Sequence, residues 1–194
     1  MESGTSRLEA FSDGVIAIII TIMVLELRAP ATADLHGLLQ LAPVFLSYVL
    51  SFTIAAIYWI NHHQILGLAR RVDARVLWTN INLLFWMSLM PLTTAWLGES
   101  GAAPLPTACY AGVATLCGGS FFLLRDAIGR QRAEDPAFQA LNRQMARKNF
   151  VALAIYISAT ACALVAPAAS LVLCALPALM YFLPTRESWE GPDR

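Results

Sequence analysis

Three apolar stretches of the sequence carry polar side chains that could hold a proton, a metal ion or a hydrogen-bond network. These residues are Ser12 and Asp13 in the first stretch, Asn61, His62 and His63 in the second, and Asn80 and Asn82 in the third. Histidine changes its charge near neutral pH, so a neighbouring carboxylate can share its proton. Polar groups inside such segments are costly and normally face a protein interior or a water-filled path.

Three interpretations of these residues stay open. They can form a structural layer in which hydroxyls, amides and imidazoles satisfy one another between helices. They can form a titratable gate, in which Asp13 shares a proton with His62 or His63. They can also bind a metal, although adjacent histidines project about 100° apart on a helix, which suits shared coordination less than i, i+4 spacing. We expect neither a metal nor a cofactor here.

The composition predicts the kind of protein that must position these groups. Of the 194 residues, 58% are hydrophobic and only 13% are charged, whereas soluble domains average about 25% charged residues. We therefore expect an all-α integral membrane protein whose main partner is the lipid bilayer. The formal net charge of zero leaves no basic surface of the kind that nucleic acid requires.

Apolar runs long enough to cross a bilayer predict six transmembrane helices in one domain over residues 1–185, followed by a cytoplasmic tail over residues 186–194. The approximate helix limits are 8–27, 41–68, 77–97, 104–124, 149–166 and 168–183. Pro91 predicts a kink in the third helix. Within the connection 125–148, Asp135 and Pro136 indicate the start of a short surface helix.

The distribution of basic residues predicts the orientation of these helices. With the N-terminus inside the cell, all of the 13 Lys and Arg residues except Arg28 fall on the cytoplasmic side. The positive-inside rule therefore favours an even number of spans with both termini cytoplasmic. In this topology, the polar residues of the first three helices lie at one depth.

The first helix, Arg7 to Leu27, is unusual because its uninterrupted apolar run is short. That run, Val15 to Leu25, covers about 16 Å, roughly half of a bilayer core of about 30 Å. To span the membrane, the helix must carry Asp13 or Glu26 toward the interior. We therefore expect this helix to lie inside a bundle or against a pore.

One stripe of the first helix has the pattern of a pore lining. Ile18, Ile22 and Leu25 are spaced i, i+4 and i+7, and Phe11 and Val15 extend the stripe inward. Copies of the helix around a symmetry axis would stack these side chains as rings. A ring of β-branched isoleucine has a well-defined radius and can block ions by dewetting.

Several motifs resemble the bacterial branch of the transmembrane protein 175 potassium channels. They are RLEAFSDG and VIAIIITIMVLEL at the start, YWINHHQI at 58–65 and NINLLFWMSLMPLTT at 80–94. The resemblance covers residues 7–97 and implies a homotetramer of six-helix chains in the bacterial inner membrane. It also implies that the first helices line a pore through which potassium ions pass passively.

The resemblance implies roles for individual residues. The constriction and its neighbouring hydroxyl layer would be Ile18, Thr21, Ile22 and Leu25. A signature motif would pack against polar residues of the second and third helices. The residues of this motif and layer are Arg7, Phe11, Ser12, Asp13, Gly14, Trp59, Asn61, His62, His63, Asn80 and Asn82. The sequence lacks the TVGYG filter of ordinary potassium channels. Because no carboxylate accompanies the Thr21 hydroxyl, we expect modest preference for potassium over sodium.

Other functions predict different features. A secondary transporter commonly has inverted repeats or broken helices around a midplane site, and no repeat is visible here. A membrane enzyme would need a catalytic motif, and the sequence contains no HExxH, GxSxG or phosphate loop. A proton-permeable channel through Asp13 and the histidines is compatible with a cation pore. We expect a channel and no enzymatic activity.

Overall fold

A computed structural model describes residues 4–182 of the chain, and every regular element in that range is an α-helix. Leu183, the last residue of the predicted sixth helix, and the predicted tail at 186–194 lie outside the described residues. The helices are α1 (Gly4–Leu25), α2 (Leu35–Gln40), α3 (Ala42–Gly67), α4 (Ala74–Met87), α5 (Met90–Glu99), α6 (Pro104–Arg130), α7 (Pro136–Cys162) and α8 (Pro167–Phe182).

Four segments in the described range are long and apolar enough to cross a membrane, judged by length and composition. They are Gly4–Leu25, Ala42–Gly67, Ala74–Glu99 and Pro104–Arg130. A fifth, shorter apolar helix covers Pro167–Tyr181. α7 is as long as α6, at 27 residues, but three basic residues make its first half polar.

The third predicted helix is divided in the structure into α4 and α5. The break falls at Ser88 and Leu89, just before Pro91 in the first turn of α5. Proline has no N–H to donate within a helix, so it is tolerated in a first turn. The Ser88 hydroxyl donates to the Phe85 carbonyl at 2.7 Å. The division therefore coincides with the kink that Pro91 predicts.

The predicted connection 125–148 is largely helical, which differs from the predicted start of the fifth helix at residue 149. α6 continues to Arg130, and α7 begins at Pro136. The Asp135 carboxylate caps α7 by accepting the Phe138 N–H at 3.0 Å, and Pro136 suits the first turn. No proline or glycine follows before Cys162, so one helix joins the polar and apolar halves.

The short helix α2 occupies part of the connection between α1 and α3, where the sequence indicated only a polar segment. Its N-cap is Asp34, whose carboxylate accepts the Gly37 N–H at 2.7 Å and the Thr32 hydroxyl at 2.7 Å. A side-chain acceptor of this kind satisfies an N–H at the helix start that has no intrahelical partner. Local capping therefore stabilises one extra turn in this connection.

α6 is the central helix of the bundle and packs against α4, α5, α7 and α8. α1 packs instead against α3, α4 and α5. Small side chains on α6, such as Ala111, Ala114 and Cys117, are buried and let neighbouring helices approach closely, as is common between membrane helices. α1 therefore lies on the side of the bundle formed by α3 to α5.

α5 and α3 approach closely at Gly98. A Cβ atom added to Gly98 would lie 2.8 Å from the Cα atom of Val44, and a backbone atom cannot easily move away. We expect Gly98→Ala to lower the free energy of unfolding by about 1–3 kcal/mol. Gly112→Ala on α6 is the control because its Cβ would meet nothing within 4 Å. Thermal unfolding in detergent checks this, and equal stability of the two variants would contradict the close approach.

Two connections meet at one end of the bundle, which we call the basic end: the α3–α4 connection, 68–73, and the α6–α7 turn, 131–135. The Gln131 amide joins them, accepting the N–H groups of Arg70 at 3.1 Å and Arg71 at 3.3 Å and donating to the Arg71 carbonyl at 2.9 Å. The beginning of α1 also lies here, since Gly4 is adjacent to Val72.

Asp73, the N-cap of α4, lies at the basic end outside the membrane-spanning segments. Its carboxylate accepts the Val76 N–H at 2.9 Å and the Gln131 amide at 3.3 Å. The Val76 hydrogen bond, with smaller contributions from Gln131 and Arg71, lowers the pKa of Asp73 below its ordinary value. Folding therefore favours the charged carboxylate. The stability that Asp73 contributes to the fold is complete above about pH 4, the ordinary pKa of an aspartate, and is lost as the pH falls through the lowered pKa.

We expect Asp73→Ala to lower the midpoint of thermal unfolding by about 2–4 °C at pH 7, the effect of losing about 1 kcal/mol at an N-cap. The difference from the wild type should shrink as the pH falls below about 4. Glu134→Ala is the control because Glu134 makes no hydrogen bond or ion pair with the described residues. A pH-independent difference would show that the charge of Asp73 contributes nothing.

Candidate pore-lining helix and its polar support

α1 has two chemically different sides. The buried side contacts the rest of the same chain through Leu8, Ser12, Ile16, Ile19 and Met23. On the other side, Ile18 is 58% exposed and Leu25 is 77% exposed. The remaining exposed members of that side are Phe11, Gly14, Thr21 and Ile22. The bundle therefore leaves a continuous, mainly apolar face of α1 uncovered.

The exposed stripe of α1 differs from the predicted one at Val15. Val15 was expected to extend the exposed stripe, but it is only partly exposed and packs against the core. The exposed stripe instead runs through Gly14, which lies three residues after Phe11 and four before Ile18 and so faces the same side of the helix. Arg7 lies exposed in the second turn of α1, near the basic end.

A buried chain of hydrogen bonds fastens α1 to α4 and α3. The Asn80 amide donates to the Ser12 hydroxyl at 2.9 Å, and the Asn80 carbonyl oxygen lies 2.6 Å from Nε2 of His62. Ser12 in turn donates to the Leu8 carbonyl at 2.8 Å. Because an amide oxygen only accepts, the His62 proton belongs on Nε2. Ser12, Asn80 and His62 are all completely buried, so three helices share one internal network.

A second, partly exposed cluster joins α1 to α3. The Trp59 indole N–H donates to the Asp13 carboxylate at 2.9 Å, and the Trp59 ring stacks on His63 with centroids 6.1 Å apart. His63 Nδ1 lies 2.5 Å from a Glu9 carboxylate oxygen. Glu9 and Asp13 are four positions apart on α1, as are Trp59 and His63 on α3. The Glu9–His63 and Asp13–Trp59 contacts therefore lie about one helical turn apart.

Glu9 is a member of this cluster that the sequence analysis did not single out. Its spacing of four residues from Asp13 matches the spacing of Trp59 and His63, and that match is the signal that points to it. Asp13 itself bonds to Trp59, whereas the carboxylate that contacts a histidine belongs to Glu9. The structure therefore does not bring Asp13 against a histidine, as the titratable-gate interpretation requires.

Asn61 and Asn82 do not join the buried chain, which differs from the expectation of one shared layer. Asn61 donates to the Ile57 carbonyl of its own helix at 2.7 Å and lines a cavity of about 30 Å³. Asn82 donates to the Ser120 hydroxyl of α6 at 2.7 Å. Neighbouring helix positions point about 100° apart, so similar depth does not bring residues to the same side.

A further buried network lies deeper in the bundle and was not predicted. The Thr94 hydroxyl donates to Ser51 at 2.7 Å, and Ser51 donates to the Tyr110 hydroxyl at 3.0 Å. Thr94 also approaches the Met23 sulfur of α1 at 3.9 Å. The network joins α5, α3 and α6 beneath α1, so both buried networks support the side of α1 opposite its exposed face. Within residues 4–182, no group of three His, Cys, Asp or Glu side chains could hold a metal ion.

Comparison with known proteins identifies the class. A family model described as the endosomal/lysosomal potassium channel TMEM175 matches residues 7–91, which include most of α1 and all of α2, α3 and α4. A protein named a potassium channel from Chryseobacterium sp. (strain P1-3) is 37% identical over 181 residues, covering 93% of this chain and 93% of that protein. Another potassium channel, from Streptomyces collinus, is 39% identical over 102 residues, covering 50% of this chain and 48% of that protein.

The fold also matches a solved structure. The crystal structure of a lysosomal potassium-selective channel TMEM175 homolog from Chamaesiphon minutus superposes with a TM-score of 0.82 at 30% identity. The match covers 94% of this chain and 98% of that chain. An all-α chain with several membrane-spanning helices and these relatives is a multi-pass membrane ion channel and not an enzyme. The chain belongs to the TMEM175 family, which confirms the resemblance seen in its motifs.

Proposed function

We propose that this protein is a potassium-permeable cation channel that conducts passively. The observation that carries the proposal is the two-sided α1, which is fastened to its own subunit on one side and exposes Ile18, Ile22 and Leu25 on the other. Membership in the TMEM175 family supports potassium as the permeant ion, since relatives similar along nearly the whole chain are named potassium channels.

In this proposal, each chain crosses a bacterial inner membrane six times. The spans are α1, α3, α4 with α5, α6, α7 and α8. Five arginines lie in or beside the two connections of the basic end: Arg70, Arg71, Arg75, Arg130 and Arg132. The positive-inside rule assigns such an end to the cytoplasm. The beginning of α1 lies at this end, and we place both chain termini on the same side.

Four copies of the chain would place their α1 helices around a shared axis. Closed cyclic symmetry turns one exposed face into a complete pore lining without leaving it in contact with lipid. Rings of Ile18, Ile22 and Leu25 would then form an apolar constriction. Isoleucine has nearly one side-chain rotamer in a helix, so the Ile18 ring keeps a defined radius and excludes water until the helices separate slightly.

Thr21 would supply the oxygen layer beside this constriction. Its hydroxyl donates to the Ile18 carbonyl at 2.9 Å, which occupies the hydrogen and leaves oxygen lone pairs free to meet a cation. No carboxylate occurs between Ile18 and Leu25. Neutral hydroxyl oxygens without a carbonyl filter or a carboxylate ring favour modest selectivity for potassium over sodium.

The experiment that tests the function is ion flux in proteoliposomes. We expect potassium efflux down its own gradient, with smaller sodium flux and without any need for a proton or sodium gradient. Protein-free liposomes are the control. Uptake that saturates and requires a second ion would overturn the channel in favour of a transporter. Flux of protons alone, without potassium, would assign the polar residues at Glu9, Asp13 and His63 to a proton path instead.

A further inference from the structure

Arg125 of α6 is a buried charge without a counter-ion among the described residues. It is 2% exposed, and none of its three guanidinium nitrogens has a hydrogen-bond partner. It contacts the Phe121 ring, whose centre lies 5.4 Å from the guanidinium carbon. Arginine does not lose its proton in proteins. Since an unpaired buried charge is strongly destabilising, this position calls for an anion.

A second cation lies against a different aromatic residue, Tyr181. Lys148 of α7 has its Nζ atom 5.2 Å from the centre of the Tyr181 ring on α8, and Tyr181 is also close enough to Arg125 for an electrostatic interaction. The Tyr181 hydroxyl donates to the Asn149 amide oxygen at 3.4 Å. Three helices therefore bring two cations, a phenol and an amide together. We call Arg125, Lys148, Asn149 and Tyr181 the interface cluster.

The carboxylates of the surrounding helices do not neutralise the interface cluster. α7 and the described part of α8 contain no Asp or Glu. The acidic residue of α6, Asp126, is paired with Arg130 at 2.7 Å. In the α6–α7 turn, Asp135 faces Arg132 at 3.9 Å, and Glu134 is exposed and makes no ion pair with the described residues. The described part of the chain thus leaves the cluster with a net positive charge.

The depth of the interface cluster indicates where its anion comes from. Lys148 is the last basic residue of α7, and the 14 residues from Asn149 to Cys162 are uncharged and extend about 21 Å. Tyr181 lies at the matching end of the apolar helix α8. Lysine, arginine and tyrosine at the ends of membrane helices lie at the level of lipid headgroups. Arg143 and Arg147 add exposed charge on the aqueous side of this level.

We propose that the interface cluster binds the headgroup of an anionic phospholipid through its phosphate oxygens. Lys148, which is partly exposed, makes the first contact. The Tyr181 hydroxyl can make the second by turning its hydrogen from the Asn149 amide oxygen to a phosphate oxygen. Arg125 supplies an unneutralised charge behind them. Basic clusters beside membrane helices attract anionic lipids in this way. This proposal requires that the protein lies in a membrane but not that it conducts ions. A failure of the channel proposal would therefore leave the lipid site unaffected.

Thermal unfolding of the full-length protein in a neutral detergent tests the proposal. Dioctanoyl-phosphatidylglycerol is compared with dioctanoyl-phosphatidylcholine, which has the same phosphodiester beside a compensating positive charge. We expect phosphatidylglycerol to raise the unfolding midpoint by about 3–5 °C when it is in roughly tenfold excess over its dissociation constant. Phosphatidylcholine should raise it far less. Equal shifts with both lipids would overturn the proposal.

Two variants test whether Lys148 and Arg125 contribute to lipid binding. Lys148→Met and Arg125→Met should each lose at least half of the phosphatidylglycerol shift. Without lipid, Arg125→Met should be as stable as the wild type or more stable, because it removes an unpaired buried charge. Arg75→Met, an exposed basic residue in the first turn of α4, is the control and should keep the full shift. If the lysine and arginine variants keep the full shift, the cluster is not the site.

Two further arms separate the possible sources of the anion. Sodium phosphate, compared with sodium chloride at equal ionic strength, should not reproduce the lipid shift; an equal shift would assign a free anion and overturn the lipid. The acidic residues Glu187 and Glu190 follow α8 in sequence. If the wild type shows no lipid shift and Glu187→Gln with Glu190→Gln creates one, the chain's own carboxylates fill the site and the proposal fails.

Discussion

Ile18→Asn is expected to increase passive potassium flux through proteoliposomes by about tenfold or more and to reduce the preference for potassium over sodium. In the proposed tetramer, this change places four amides in the narrowest apolar ring. Water and ions then enter a segment that isoleucine keeps dry. A tenfold gain corresponds to lowering the barrier by about 1.4 kcal/mol, a modest requirement for hydrating such a ring.

The control for this prediction is Ile157→Asn on α7. Ile157 is 52% exposed, close to the 58% of Ile18, so the two substitutions introduce the same amide at similarly exposed positions on different helices. We expect Ile157→Asn to leave the flux and ion preference unchanged. Should Ile18→Asn behave in the same way, the exposed face of α1 does not form the constriction.

Asn80→Leu is expected to lower the midpoint of thermal unfolding by about 5–15 °C. Asn80 is the central member of the buried chain, so its loss leaves Nε2 of His62 unsatisfied. It also removes the hydrogen bond that Ser12 accepts, which adds about 1 kcal/mol, while Ser12 still donates to the Leu8 carbonyl. Each unsatisfied buried group costs about 1–3 kcal/mol, and 1 kcal/mol corresponds to about 2–4 °C for a protein of this size. The same variant should loosen α1 and so disturb conduction.

Asn61→Leu is the matched control for the buried chain. It removes the same side chain from a neighbouring depth, but Asn61 bonds only to the Ile57 carbonyl of its own helix. We expect a loss of no more than about 2–4 °C, because one local hydrogen bond contributes about 1 kcal/mol. If the two leucine variants unfold at the same temperature, the chain through Asn80 is not what holds α1 in place.

The sequence contains enough information to predict the character of α1, because helical periodicity depends on local spacing alone. Ile18 and Leu25 lie on one predicted stripe and both are exposed. Ser12 lies on the opposite side, where its small hydroxyl fits between helices. The approximate positions of the apolar helices also follow from composition, since a bilayer demands long apolar runs.

Other features depend on information that apolar runs do not contain. α7 begins at Pro136 because Asp135 caps it, although Arg143 and Lys148 make its first half too polar to resemble a membrane helix. Depth alone also could not show that Asn80 faces His62 while Asn82 faces Ser120. That distinction depends on the rotation of α4 about its axis, which packing against α6 determines.

The choice of Glu9 over Asp13 as the partner of His63 has a similar cause. Both carboxylates lie on the same side of α1, and only the vertical offset between α1 and α3 decides which one meets the imidazole. Such offsets follow from interhelical packing. Long-range contacts therefore determine the details of the polar support, while local pattern determines its approximate depth.

The most direct test of the central claim, that the exposed face of α1 lines the pore, is a cysteine scan with silver-ion block of potassium flux. Cysteines are placed singly at Ile18, Thr21 and Leu25 on the exposed face, and at Ile19 and Met23 on the buried face. Wild-type protein with its four native cysteines is the control. We predict block at the three exposed positions and none at the two buried ones. Unblocked flux with cysteine at Ile18 and Leu25, or block only at Ile19 and Met23, would contradict the account.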